Sequence, residues 1–78
     1  MNLLRHIFSS VLGIEAGKVT PELSLDSAPA WDSLNAIILV AEIEKAFDVQ
    51  FEYEEAMDVK NVADVMKLIR AKGKDPGA

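Results

Sequence analysis

The sequence predicts an all-α fold: a small four-helix bundle, three main helices plus one short helix, with a long loop between helices one and two. Three observations predict it. Apolar residues recur at helical spacing in three segments. Glycine and proline gather between those segments rather than inside them. No stretch alternates apolar and polar residues long enough to read as a convincing strand. The 78 residues suffice for one domain with a modest core and leave little room for a deep enzyme pocket. Residues 1–72 are expected to form that domain, and residues 73–78 a flexible tail.

Helix one spans about residues 3–12, where Leu3, Leu4, Ile7, Phe8, Val11 and Leu12 keep helical spacing. Asn2 is its expected cap and Gly13 its expected stop. Residues 13–32 follow as a loop. Pro21 and Pro29 forbid a continuous helix there, and Leu23 and Leu25 are expected to tuck into the core and pin it. Ordered loops of this length are uncommon in small domains and often serve function. Helix two runs from Ser33 to Phe47 without glycine or proline, and Asp48 ends it. Val49-Gln50-Phe51 reads as an extended connector, and one or two helical turns fit around residues 53–57. Asn61 caps a last helix, Val62 to about Ala71, with Val62, Val65, Met66 and Ile69 on one side.

At 100° per residue, Ala36, Ile37, Val40, Ile43 and Phe47 cluster on one side of helix two and are expected to be core, with Leu39 at its margin. Leu34, Ile38 and Ala41 fall on another side, and Glu44 lies between the two. A helix with a single core stripe keeps its other face polar. The second apolar stripe therefore reads as a surface covered by loop 13–32, as scattered exposed apolar residues of no special meaning, or as a partner-docking stripe beginning beside Ser33.

Composition narrows the function. Half the residues are apolar, which favours a folded chain. There is no cysteine, hence no disulfide and no thiolate metal site. The longest apolar run, Ala36 to Ala41, is far too short for a bilayer. The first six residues lack the basic start and long apolar region of a signal peptide, so a soluble, cytoplasmic protein is expected. Residues 22–58 hold ten acids and one base, Lys45, while residues 59–78 hold five bases and two acids. An acidic midsection disfavours nucleic acid and anionic lipid and suits partners with basic patches.

Trp31-Asp32-Ser33-Leu34 is the most informative stretch. Asp32 and Ser33 are both good N-cap residues. Trp31 reads as a packing residue or an exposed aromatic contact. A catalytic role for Ser33 lacks support, since a nucleophilic serine needs a base within reach and the sole histidine, His6, falls on helix one. No Gly-x-Ser-x-Gly elbow, phosphate loop or evident metal motif is present. No enzyme is expected. A serine at a helix N-terminus can, however, carry a phosphodiester added by another enzyme, because that end of a helix favours phosphate.

The sequence resembles the acyl carrier protein family over about residues 3–71. The resemblance rests on Asp32-Ser33-Leu34 at the start of the second helix and on Ala41-Glu42-Ile43-Glu44-Lys45-Ala46-Phe47 as its acidic, Phe-ended half. Leu23-Ser24-Leu25 in the loop and Val59-Lys60-Asn61-Val62-Ala63-Asp64-Val65 at the last helix support it. It implies that Ser33 carries 4′-phosphopantetheine, transferred from coenzyme A by a separate phosphopantetheinyl transferase, with Asp32 beside it. The arm would hold acyl or aminoacyl groups as thioesters and present them to acyl-processing or acyl-loading enzymes. By position, Leu34, Ile38 and Ala41 would be apolar docking residues, with Asp32 and Glu44 as acidic ones. Ile37, Val40 and Phe47 would line an acyl-holding interior. A monomer is expected, with no nucleic-acid or membrane partner. Trp31 before Asp-Ser-Leu and Ile38, where fatty-synthase carriers tend to place an acid, resemble discrete carriers of specialised pathways. The alternative is a small helical adaptor that docks a partner through helix two, with Ser33 only a cap.

Overall fold

Helix capping and loop carbonyls set the frame. A computed structural model describes residues 2–77; Met1 and Ala78, the outer ends of the expected domain and tail, lie outside the described residues. The helices are α1 (Asn2–Leu12), α2 (Ser33–Phe47), α3 (Tyr53–Asp58) and α4 (Val62–Ala71), with a 3₁₀ turn at Ala16–Lys18. Among the described residues there is no strand, only an isolated antiparallel bridge between Ser24 and Asn61. Among the described residues no helix is long and apolar enough to cross a membrane.

The helix ends follow from sequence chemistry. Gly13, at φ +67°, stops α1 in the left-handed region that glycine adopts without strain, and its N–H reaches Ser9 O at 2.9 Å. Asn2 is itself helical rather than the expected cap. Asp48 ends α2 at φ 55°, a conformation Asp tolerates better than most residues, with its N–H on Glu44 O. Asn61 caps α4: its Oδ1 accepts from the Asp64 N–H at 2.8 Å.

The long loop is fastened to the start of α4. A helix leaves its first N–H groups without intrahelical acceptors. Here loop carbonyls supply them: Val62 N–H donates to Leu23 O at 2.9 Å and Ala63 N–H to Pro21 O at 3.0 Å. Leu25 N–H donates in return to Lys60 O at 3.1 Å. The Arg5 Nε–H adds a bond to Val19 O, tying α1 to the same loop. Leu23 is partly buried against the core as expected, but Leu25 is 40% exposed. The backbone bond to Lys60, not burial of Leu25, fixes that residue.

Leu4, Phe8, Val19, Ile43, Val62 and Ile69 form the innermost core. Trp31 is buried against Phe8, with ring centroids 5.0 Å apart and planes at 67°, the edge-to-face arrangement aromatic rings prefer. On α2 the buried line is Leu39, Ile43 and Phe47. Ile37, expected in the core, is 69% exposed, whereas Leu39, expected at the margin, is 2% exposed. Two residues advance a helix by about 200°, so burying Leu39 turns Ile37 nearly opposite. Residues 73–77, expected to fray, turn at Gly73 (φ +82°); Lys74 N–H bonds Ile69 O, and Pro76 is buried.

Candidate functional site

The turn before α2 aims the start of that helix at solvent. Trp31 N–H donates to Ala28 O and Asp32 N–H to Ala30 O. Asp32 is extended, and its Oδ1 accepts from Asn35 N–H at 2.9 Å. The Asn35 side chain donates back to Ala30 O at 2.6 Å, locking the loop to the first turn. Of the two capping candidates, Asp32 is therefore the cap. Ser33 is the exposed first residue of the helix, and its hydroxyl makes no hydrogen bond to the protein among the described residues. The amides of Ser33 and Leu34, at the positive end of the helix, likewise have no protein acceptor among the described residues.

Leu34 (67% exposed), Ile38 (40% exposed) and Ala41 lie on the outside of α2, and Ile37 joins them. Three large apolar side chains thus stand in solvent within two turns of Ser33. Glu44 is half-buried, and its Oε2 accepts from Phe51 N–H at 2.7 Å. Its carboxylate fastens the α2–α3 connector and is less available at the surface than its sequence position implied.

Behind Ser33 opens a groove of about 890 Å³ between α2 and α3. Its mouth includes Asp32 and Ser33, its α2 wall Ile37 and Val40, and its depths Phe8 and Trp31. Of the expected interior residues, Ile37 and Val40 line it, but Phe47 does not. Phe47 is buried in the core near the far end of α2, which removes it from the groove. Across the groove stand Phe51, Tyr53 and Met57, which the sequence reading did not single out. The available signal was Tyr53 and Met57 at i, i+4 spacing, two large apolar residues on one face of a short helix.

α3 has no buried residue and is held by polar contacts at its ends. Glu55 Oε1 accepts from Glu52 N–H at 2.7 Å and pairs with Lys72 Nζ at 2.9 Å. The Glu52 amide, and then the Lys72 ammonium, hold the Glu55 carboxyl below its ordinary range. Nothing comparable surrounds Ser33. His6 is exposed on α1 and makes no hydrogen bond among the described residues. No cluster of three or more potential metal ligands occurs among the described residues.

An exposed, unbonded hydroxyl on a helix N-terminus beside an apolar groove is suited to bearing a group rather than to reacting by itself. Residues 2–69 match the family described as "Phosphopantetheine attachment site". The chain is 35% identical over 66 residues to an acyl carrier protein of Prochlorococcus marinus (strain MIT 9515), covering 85% of this chain and 82% of that one. Its fold is similar to the solution structure of a holo acyl carrier protein from Geobacter metallireducens, with a TM-score of 0.78 and 31% identity over 92% of this chain and 86% of that one.

Proposed function

The chain belongs to the phosphopantetheine-attachment family of acyl carrier proteins, and on that premise we propose that Ser33 is its attachment residue. It is a carrier and not an enzyme, and its prosthetic group is phosphopantetheine. Bound to the protein, that group supplies the thiol on which an acyl group rides as a thioester. The chain's own residues supply a root, a field and a recognition surface.

The observation that carries the proposal is the division of labour between Asp32 and Ser33. Asp32 caps α2, so the Ser33 oxygen is free to be substituted without unmaking the helix. The first-turn amides and the helix dipole favour the negative phosphodiester that results. In attachment, a bond would form from Ser33 Oγ to the phosphorus of the pantetheine phosphate while the pyrophosphate bond of coenzyme A breaks, with adenosine 3′,5′-bisphosphate as the leaving group. No titratable group of this chain bonds Ser33 among the described residues, so the hydroxyl proton would leave to an acceptor outside this chain. The adaptor alternative, which needs Ser33 as the cap, is not favoured.

Acyl-processing enzymes and a phosphopantetheinyl transferase are the partners of this family. For this chain we assign docking to Leu34, Ile37, Ile38 and Ala41 on the exposed side of α2, with Asp32 as the acid nearest Ser33 and Glu44 in a lesser, half-buried role. Exposed apolar side chains so close together mark an interaction surface. We assign Ile37 and Val40 to the wall of the acyl-holding groove. The chain acts as a monomer in the cytoplasm, and its weight of apolar over charged docking residues suits a specialised pathway.

Incubation with coenzyme A and a broad-specificity transferase, followed by intact-mass measurement, tests the attachment. Wild type gains one phosphopantetheine and Ser33→Ala none. No gain, or an equal gain in the variant, overturns it.

A further inference from the structure

We propose that the groove behind Ser33 prefers a planar, conjugated acyl group over a saturated one of the same size, with Trp31 and Phe51 setting the preference. The proposal rests on Ser33 as the attachment residue. Of the chain's five aromatic side chains, Trp31, Phe51 and Tyr53 line this groove with some surface accessible, Phe8 lies fully buried behind Trp31, and Phe47 is buried in the core. Aliphatic side chains would suffice to bury a saturated chain, because apolar burial scales with area and not with ring character. Rings add something only a second π-system uses: offset-stacked and edge-to-face contacts stabilise an aromatic partner beyond its area, equivalent to about two- to twelve-fold in an equilibrium constant.

Trp31 contributes a second, independent observation. It is 5% exposed, yet its indole N–H donates to no protein acceptor among the described residues. No buried side-chain polar atom among the described residues is sealed without a partner, so this N–H still meets open space. Trp31 therefore keeps part of its indole edge accessible while it lines the groove.

The test loads the full chain from benzoyl-coenzyme A and from cyclohexanecarbonyl-coenzyme A, with intact mass verifying each product. The two acyl groups share a six-carbon ring and differ in planarity and π-character. Hydroxylamine cleavage of each thioester is measured relative to the same acyl group on free pantetheine. The benzoyl form is expected to gain about two- to twelve-fold more protection than the cyclohexanecarbonyl form. Emission from Trp31, the chain's single tryptophan, should change on benzoyl loading only. Trp31→Leu should bring the protection ratio toward one. Because Trp31 packs on Phe8 and that variant can lose the fold, Phe51→Leu, at a half-buried position, provides the second arm and should also lower the ratio. Equal normalised protection in wild type, or an unchanged ratio in folded Phe51→Leu, overturns this proposal alone. Failure of wild type to gain mass overturns the attachment reading and this proposal with it.

Discussion

Replacing Asp32 and Ser33 separately by alanine should give very different losses of stability, although both are capping residues by type. The Asp32 carboxylate accepts from Asn35 N–H at 2.9 Å, whereas Ser33 Oγ bonds nothing in the protein among the described residues. Removing an N-cap costs about 0.5–2 kcal/mol. Because Asp32 is exposed and water can replace part of its bond, a loss of about 1 kcal/mol is expected, which in a domain of this size lowers Tm by about 4–8 °C. Ser33→Ala loses no protein hydrogen bond and gains helix propensity, so its change should stay within about 0.5 kcal/mol of zero. Thermal unfolding followed by circular dichroism, with urea titration for the free energies, measures both. Equal destabilisation, or a larger loss in Ser33→Ala, would mean that Ser33 holds the cap, and the free hydroxyl on which attachment depends would not exist.

Three further outcomes are expected. Ile43→Ala, at a position 1% exposed, should lose about 2–5 kcal/mol in urea unfolding, while Ile37→Ala, at a position 69% exposed, should stay within about 0.5 kcal/mol of wild type; the reverse order would restore Ile37 to the core. Ile38→Glu should lower kcat/KM for loading by a phosphopantetheinyl transferase while leaving the unfolding midpoint nearly unchanged; unfolding of the domain would make Ile38 a core residue. The Glu55–Lys72 pair should be pH-dependent with a defined sign. The folded Glu55 carboxyl lies below its ordinary value of 4.5, so its stabilisation is fully present above that value and is lost as pH falls through the folded one. The stability difference between wild type and Lys72→Met should therefore hold at neutral pH and vanish in acid, and a difference that persists to pH ~2, well below ordinary carboxylate values, would show that Lys72 acts by packing.

The helix ends were readable because each has a local chemical cause. Gly13 supplies a positive φ, Asn61 supplies a cap, and Pro21 and Pro29 break the loop between α1 and α2. The buried side of α2 was not readable for an equally physical reason. Residues 36–41 are apolar without interruption, so periodicity alone offers Ile37 and Leu39 equal claims on the core. Tertiary packing decided for Leu39. Ser33 and the apolar residues beside it could be found locally, but the groove could not, since Trp31, Val40 and Tyr53 meet only once α2 and α3 are placed. Leu25 departs from its apolar expectation because its role runs through a backbone bond to Lys60, and backbone partners leave no trace in side-chain hydrophobicity.

The most direct measurement locates the modification. Digestion of the transferase-treated protein after Lys18 and Lys45 releases residues 19–45, which contain Ser24, Ser27 and Ser33. Ser24 and Ser27 bond each other in the loop, whereas Ser33 stands free at the start of α2. Fragmentation of that peptide should place a single phosphopantetheine on Ser33 and none on the other two. A peptide that carries no added mass, or that carries it on Ser24 or Ser27, would contradict the assignment of Ser33 as the attachment residue.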